Sequence, residues 1–209
     1  PSGDLPPFPN KKQVDIPFYL NQPDDSHGSL GAAVMVNTKE AGAPFPDGFV
    51  YVYGIRRSNK EVYVARVTPA NVENFDTWEF YNGRTWTKDA LSAAALVDGS
   101  SNEMSVTPLA DGRYMMVFMR PNFSTKVGIR LGASPIGPWG PTIDVYDARE
   151  DIAGRANYFT YNAKAFPVFS KPGELLISYN VNSFDFFADL PNDPNLYRPR
   201  FIRLKYELD

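Results

Sequence analysis

Two neighbouring stretches, Phe49-Val-Tyr-Val-Tyr-Gly-Ile55 and Val62-Tyr-Val-Ala-Arg-Val67, decide the fold of this chain. Each is a short run rich in β-branched and aromatic residues, and the residues between them are mostly Arg, Ser, Asn and Lys. Such runs are typical of strands, and runs separated by a few polar residues pair as antiparallel hairpins. A preceding run, Leu30 to Val36, adds a third strand. The segment Thr77 to Thr87, with an Asn-Gly turn at 82–83, adds a fourth, outer strand.

The same four-strand pattern recurs further along the chain. A second and a third set of runs lie at Met104 to Leu109, Tyr114 to Met119, Val127 to Leu131, Ile143 to Tyr146, Asn162 to Phe169, Glu174 to Val181 and Phe201 to Tyr206. Repeats of short strands in groups of four are typical of β-propeller blades, and helix-forming segments are few. The sequence therefore predicts an all-β protein, a β-propeller with about three four-stranded antiparallel blades at 28–209, after a linker and lead-in segment at 1–27.

Composition narrows the classes of partner. The chain has 209 residues and a net charge of −3, and its Lys and Arg residues are scattered rather than clustered. We therefore expect no nucleic-acid partner, because a basic patch is what gathers phosphates. No apolar run approaches the roughly 20 residues of a transmembrane helix, so we expect no membrane partner either.

The counts of cysteine and histidine limit the metal and thiol chemistry that the chain can perform. The chain has no cysteine and a single histidine, His27, which excludes disulfides, thiolate catalysis and any site built from several histidines. We expect no cofactor and no metal. A calcium site built from oxygen ligands alone stays open, although the loop aspartates match no calcium-loop spacing; they are Asp24, Asp25, Asp185, Asp189 and Asp193.

Several strings, read together, resemble a known family. They are Phe49 to Gly54, Val62 to Val67, Trp78 to Gly83, Glu103 to Val106, Ala133 to Trp139, Tyr161 to Ala165, Ile177 to Asn182 and Tyr197 to Phe201. In this order, over roughly residues 28 to 208, they resemble the carboxy-terminal half of the family called domain of unknown function 4185. That family is similar to the five-bladed furanosidase-type propeller hydrolases, and some members are implied to be endo-acting D-arabinanases. The resemblance implies part of a secreted or periplasmic five-bladed propeller that hydrolyses a polysaccharide such as arabinan.

The chain departs from that family at two points. The amino-terminal blades, where the resemblance implies a catalytic aspartate, are not in this sequence, so those blades would be a partner of this chain. Phe166 stands where the family implies a histidine after Asn162-Ala-Lys-Ala165. Three blades are fewer than the usual four to eight. The chain is therefore either the carboxy-terminal part of a larger propeller, or Val14 to Leu20 and the loops complete a smaller, sandwich-like assembly.

Glu103 is the candidate catalytic residue. Glycoside hydrolysis needs two carboxyl groups that flank the scissile bond, one of which protonates the leaving oxygen. Glu103 opens the innermost predicted strand of the second blade, where side chains point toward the axis of a propeller, and small and apolar residues follow it. The alternative is a solvent-exposed glutamate at the start of a strand. The sequence does not identify the partner carboxylate.

Polar residues near the third innermost strand are the candidate sugar-binding residues. Amides and guanidinium groups donate directional hydrogen bonds to sugar hydroxyls, and aromatic rings offer stacking faces. The set consists of Tyr161, Asn162, Lys164, Asn180, Arg198 and Arg200, together with His27 before the first strand. For Tyr197 and Arg200 the alternative is a structural role, in which they hold the sheet closed through backbone carbonyls.

Two other functions compete with a glycoside hydrolase. A non-catalytic carbohydrate-binding propeller would keep Asn162, Arg198 and the aromatic residues but would lack the carboxylate pair. A scaffold that binds a protein partner would have a flat or plugged axis. Two carboxyl groups about 5 to 9.5 Å apart across an axial pocket would favour hydrolysis.

Overall fold

The structure, a computed structural model, describes residues 14–18, 28–56 and 59–207. These residues form three antiparallel sheets that follow one another along the chain. The first sheet consists of β1 (Gly28–Asn37), β2 (Phe49–Arg56), β3 (Glu61–Val67), β4 (Glu79–Tyr81) and β5 (Trp86–Thr87). The second consists of β6 (Met104–Pro108), β7 (Tyr114–Met119), β8 (Lys126–Gly132) and β9 (Ile143–Asp147). The third consists of β10 (Tyr158–Ala165), β11 (Glu174–Ser183) and β12 (Pro199–Lys205).

Helical structure in the described residues is confined to short turns. One α-helical turn, α1, spans Phe186–Asp189, and single 3-10 turns lie at Pro69–Asn71, Phe75–Thr77, Ala90–Ser92, Arg149–Ile152 and Pro167–Phe169. In every sheet, strands that are consecutive in sequence are also neighbours in space. The predicted all-β, mostly antiparallel fold with few helices is therefore confirmed.

The number of strands differs from the predicted four in two of the sheets. The segment Thr77 to Thr87 forms two short strands, β4 and β5, because the Asn82 side chain closes a turn between them. Its Oδ1 accepts hydrogen bonds from the backbone N–H groups of Arg84 and Thr85 at 3.0 and 2.9 Å. The third sheet has three strands, because residues 184–198 between β11 and β12 form α1 and loops.

Alternation along β7 joins the three sheets. Met116 and Phe118 belong to a core shared with the first sheet, whereas Met115 and Val117 belong to a core shared with the third. Neighbouring side chains of a strand face opposite sides, so one strand contributes to both cores. Burial of each large apolar side chain contributes about 1.5–3 kcal/mol. The second sheet is therefore covered on both faces, and its position relative to the other two is determined by packing.

The strands β1, β6 and β10, called the inner strands below, lie side by side. β6 contacts β1 on one side and β10 on the other. A direct hydrogen bond joins two of them, because the backbone N–H of Ala165 donates to Ser105 Oγ at 2.8 Å. The Tyr53 hydroxyl donates to the carbonyl oxygen of Pro135 at 2.9 Å and ties the first sheet to the second. Residues at the starts of the inner strands are thus held in a defined relative position.

Phe18 packs against the first sheet from the segment that precedes it. Its ring centroid lies 4.8 Å from that of Phe80 and 5.7 Å from that of Trp78. Phe75 completes this group of rings at 5.8 Å from Phe18. Part of the segment expected to be a linker and lead-in therefore contributes an aromatic side chain to the packing of β4.

Candidate functional site

A polar cleft opens where the inner strands of the second and third sheets begin. Its volume is about 410 Å³, and it is lined by Lys60, Ser100, Ser101, Asn102, Glu103, Met119, Arg120, Pro121, Asn122, Phe123, Phe159, Thr160, Tyr161 and Asn162. These residues come from the starts of β6 and β10 and from the connections β2–β3 and β7–β8. Strands of an antiparallel hairpin place their connections at alternating ends, so these segments meet at one end of the sheets. The cleft brings together three of the predicted site residues, namely Glu103, Tyr161 and Asn162.

Glu103 lies directly before β6 and is half-buried in the wall of the cleft. The Ser101 hydroxyl donates a hydrogen bond to the Glu103 carbonyl oxygen and so holds the backbone at this point. Among the described residues that line the cleft, Glu103 is the one carboxylate. Lys60 Nζ donates to Asn102 Oδ1 at 2.9 Å, which ties the β2–β3 connection to the residue beside Glu103.

Asn162 lies at a β-bulge in β10 and has an unsatisfied polar atom. The register between β10 and β11 shifts between Tyr161 and Lys164, and Asn162 has a positive φ of 58°. Its side-chain Oδ1 is buried and has no hydrogen-bond partner among the residues that the structure describes. Bulges re-aim side chains near functional sites, and a buried polar group without a partner costs free energy unless a ligand or water satisfies it. Asn162 Oδ1 can therefore accept a hydrogen bond from a ligand or a water molecule in the cleft.

Tyr161 offers a protonated phenol in the same wall. Burial first, then a hydrogen bond with Tyr197 and the negative charge of Glu103, raise the pKa of Tyr161 to about 12. Because this pKa lies far above neutral, the phenol keeps its proton and can donate. The same interactions show that Tyr161 lies within electrostatic reach of Glu103.

Backbone strain is concentrated around this cleft. The non-glycine residues with positive φ in the described part of the chain have values between 55° and 65°, and they are Lys60, Asn122, Phe123, Asn162 and Tyr197. Four of them line the cleft, and the fifth, Tyr197, is hydrogen-bonded to Tyr161. A left-handed conformation costs about 1–2 kcal/mol for a residue that carries a Cβ atom. Strain of this kind collects at functional sites, where the surrounding structure maintains it.

The other predicted site residues do not line the cleft. Lys164 follows the bulge in β10, and Asn180 lies opposite Tyr161 on β11. Arg198 is exposed in the connection before β12. His27 lies outside the described residues.

Arg200 makes an ion pair on the side of the third sheet. Its Nε donates to Asp151 Oδ1 at 3.1 Å, and Asp151 also accepts a hydrogen bond from the Tyr179 hydroxyl. Asp151 belongs to the 3-10 turn between the second and third sheets. Arg200 therefore joins β12 to this turn, and it does so through a carboxylate rather than through the backbone carbonyls of the structural alternative.

Several residues of the cleft escaped the sequence analysis. Lys60, Arg120, Phe123 and Phe159 lie far apart in sequence and meet only because the sheets pack as they do. Asn122, which also lines the cleft, is the one such residue whose type indicates its backbone conformation, because Asn tolerates a positive φ better than most residues. Nothing local distinguishes Phe123 or Phe159 from an ordinary strand or turn aromatic.

Two further features of the described ranges concern metals and membranes. No group of three or more Asp, Glu or His side chains is placed there to hold a metal ion. Within the same ranges, no helix has the length and apolar character required to cross a membrane.

Fold and cleft together define an all-β protein of successive antiparallel sheets whose polar site lies at the strand ends. Residues 31–206 match the family described as a domain of unknown function, DUF5005, and the chain belongs to that family. The resemblance to domain of unknown function 4185 is not confirmed. No curated protein matches the sequence.

Solved structures provide a second comparison. A protein from Bacteroides ovatus, provisionally described as a hydrolase, is 25% identical with a TM-score of 0.60, and the match covers 75% of this chain and 42% of that one. The chain thus spans less than half the length of this relative. An endo-arabinase from Bacteroides thetaiotaomicron is 16% identical, with a TM-score of 0.42 and coverage of 87% and 56%. An exo-β-1,3-galactanase from Phanerochaete chrysosporium is 13% identical, with a TM-score of 0.32 and coverage of 87% and 46%. Only the first of these is similar enough to support the fold.

Proposed function

We propose that this chain is part of a secreted glycoside hydrolase and that Glu103 supplies the proton to the leaving oxygen. The observation that carries the proposal is the position of Glu103 in one wall of a cleft that also contains Tyr161 and the unsatisfied Asn162 amide. The similarity to the Bacteroides ovatus protein, provisionally described as a hydrolase, supports the same class of activity. The DUF5005 family itself carries no assigned function.

The chemistry follows from the arrangement of donors and acceptors. Glu103 would transfer its proton to the glycosidic oxygen as the bond between that oxygen and the anomeric carbon breaks. Tyr161 can donate to a sugar oxygen, and Asn162 Oδ1 can accept from a sugar hydroxyl. A second carboxylate must activate water or attack the anomeric carbon. Since Glu103 is the one carboxylate among the described residues of the cleft, this second group must come from outside them.

The finer parts of the proposal rest on the family resemblance. The three sheets would be consecutive blades of a five-bladed propeller, and the remaining blades would contribute the second carboxylate. An arabinan-like polysaccharide would be the substrate. The inner strands, which lie side by side with the cleft at their starts, are compatible with blades arranged around an axis.

A non-catalytic carbohydrate-binding protein is the second candidate function. The observation in its favour is that the described part of the cleft contains one carboxylate rather than a pair. Tyr161 and Asn162 would then bind sugar hydroxyls, and Glu103 would accept hydrogen bonds from them without transferring a proton.

The substitution Glu103→Gln separates the two functions. The variant keeps the size and hydrogen-bonding capacity of the side chain but cannot donate the catalytic proton. The protein that carries the remaining blades, and the same protein with Glu103→Gln, would be incubated with a panel of plant and microbial polysaccharides, arabinan first, with release of reducing ends as the readout. Affinity for the same polysaccharides would be measured on the same samples.

The expected result is hydrolysis by the parent protein with all its blades, loss of at least about a hundredfold in rate for Glu103→Gln, and retained affinity. The exposed Glu150 provides the matched control, because Glu150→Gln makes the same change outside the cleft. Full activity of Glu103→Gln on a polysaccharide that the parent cleaves would refute the catalytic role. Binding without hydrolysis by the parent would favour the carbohydrate-binding function.

A further inference from the structure

A strip of aromatic rings leads outward from the cleft. Phe123, Phe159 and Tyr161 line the cleft, and Phe184 and Tyr197 continue from them; these five rings are called the aromatic strip. Ring centroids lie 5.2 Å apart for Phe123 and Phe184, 4.6 Å for Phe159 and Phe184, and 5.6 Å for Phe159 and Tyr161. Tyr161 is hydrogen-bonded in turn to Tyr197. The rings therefore form a continuous series rather than scattered surface aromatics.

The strip is open to solvent at its outer members. The exposed fraction is 66% for Phe123, 65% for Phe184 and 56% for Tyr197. An exposed group of large apolar side chains usually marks a binding surface. Because the strip begins inside the cleft, the same ligand can contact both.

Two members of the strip are held at a cost to folding. Phe123 and Tyr197 have positive φ values of 55° and 65°, a conformation that bulky residues rarely adopt. Glycine at either position would relieve the strain. Both rings are more than half exposed, so burial of the side chain does not offset the cost of the strained backbone. Strained, exposed aromatic residues beside a cleft point to a function that needs the rings in these positions.

Polar groups beside the rings identify the class of ligand. Amide side chains accompany the strip at Asn122, Asn162 and Asn182, and Asn182 is hydrogen-bonded to Tyr161. A purely apolar partner would leave the buried Asn162 Oδ1 without a hydrogen bond, at a cost in free energy. Sugars satisfy both requirements, since their C–H faces pack on aromatic rings while their hydroxyls bond to amides.

We propose that the aromatic strip provides stacking subsites for a glycan chain that extends beyond the cleft. The inference rests on the proposed function insofar as the cleft binds carbohydrate, but it does not require that Glu103 be catalytic. It adds that the ligand is a polymer or a long oligosaccharide, whose outer sugars contact Phe123 and Phe184.

The experiment compares short and long ligands on matched variants. The probes are reduced oligosaccharides of two and six sugars prepared from arabinan and from β-1,3-galactan, and affinity is measured by calorimetry for the full chain. Phe123→Ala and Phe184→Ala remove two rings of the strip. Phe169→Ala is the control, because Phe169 is 68% exposed but belongs to the β10–β11 connection at the opposite end of the strands.

Each strip variant should weaken binding of the six-sugar ligand by about tenfold, which is the effect of losing one ring contact of roughly 1.4 kcal/mol. Binding of the two-sugar ligand should be unchanged in Phe184→Ala, because Phe184 lies outside the cleft lining. All binding by Phe169→Ala should be unchanged. Phe123→Gly should lose affinity as Phe123→Ala does but should unfold at a higher urea midpoint than Phe123→Ala, because glycine tolerates the positive φ.

The results distinguish this inference from the proposed function. Hydrolysis by the parent with unchanged six-sugar affinity in the strip variants would overturn the inference alone. Length-dependent binding without hydrolysis would overturn the hydrolase and leave the inference intact. Equal losses for both ligand lengths in Phe184→Ala, absence of binding to every oligosaccharide, or a dimer that Phe123→Ala dissociates would each overturn it.

Discussion

Ser105 and Ala165 lie on adjacent inner strands and are joined by a 2.8 Å hydrogen bond from the Ala165 backbone N–H to Ser105 Oγ. The bond couples β6, which Glu103 precedes, to β10, which carries Asn162. It therefore helps to determine the distance between the two sides of the cleft.

Replacing Ser105 by Ala should destabilise the protein and weaken ligand binding together. The substitution leaves a shielded N–H without its partner, which costs about 1–3 kcal/mol in the free energy of unfolding. Urea denaturation would measure this loss. Ser92→Ala is the control, because the exposed Ser92 hydroxyl bonds only to the carbonyl oxygen of Asp89. Equal stability of the two variants would contradict the role assigned to Ser105.

The substitution Asn162→Gly should separate the backbone role of Asn162 from its side-chain role. Glycine adopts the positive φ of 58° without strain, so folding stability should stay within about 0.5 kcal/mol of the parent. Loss of the amide should nevertheless weaken carbohydrate binding. Asn162→Ala should lose affinity and also some stability, because alanine adopts a positive φ less readily than asparagine does. Unchanged affinity in both variants would exclude Asn162 from the site.

Removal of the Arg200 guanidinium should affect stability but not ligand affinity. Arg200 is paired with Asp151 and lies outside the cleft lining. Arg200→Ala should lower the free energy of unfolding by about 1.5–3 kcal/mol, because Asp151 loses a charged hydrogen-bond donor. Arg203→Ala removes an exposed partner of Glu174 at 3.6 Å and should cost less than about 1 kcal/mol. A fall in sugar affinity with stability unchanged would instead support the binding role predicted from the sequence.

Asp147 should make the protein sensitive to acid. Hydrogen bonds from Arg149 and then from Thr125 hold the pKa of Asp147 well below its usual range. A carboxylate with a lowered folded pKa stabilises the native state above its unfolded pKa of about 3.9, and this contribution is lost as pH falls through the folded pKa. Unfolding free energy should therefore decrease from about pH 5 downward.

The substitution Asp147→Asn should lower stability near neutral pH and flatten this part of the profile. Thr125→Val removes one of the two hydrogen-bonding side chains and should give an intermediate slope. Urea titrations from about pH 6 to pH 2 would measure all three proteins. A profile of Asp147→Asn that parallels the parent would show that other carboxylates dominate the acid response.

The parts of the fold that the sequence predicted are those determined by local pattern. Phe49 to Ile55 and Val62 to Val67 are strongly β-forming and are separated by polar residues, so the β2–β3 hairpin follows from neighbours in sequence. The third sheet has the three strands whose runs the sequence shows, rather than the four of the general blade pattern. Residues 184–198 contain enough aromatic residues for a strand, but they form α1 and loops instead.

The candidate site was predicted less completely, for a physical reason. Tyr161 and Asn162 were identified because the sequence predicts an inner strand that begins there, within a family-like string, and they do lie in the cleft with Glu103. The positions of Phe123 and Tyr197 depend on left-handed backbone conformations that no local preference of Phe or Tyr favours. Their placement is a result of tertiary packing, which a single sequence does not display.

Phe18 has a practical consequence for where the chain can be cut. Its ring covers Phe80 and Trp78 from a position ten residues before the start of β1 at Gly28. A shortened protein that began at the first strand would keep every sheet hydrogen bond yet leave these rings facing water. Such a protein should be poorly soluble and prone to self-association. A shortened chain that is to give this sheet in soluble form should therefore include Phe18 and not begin at the first strand.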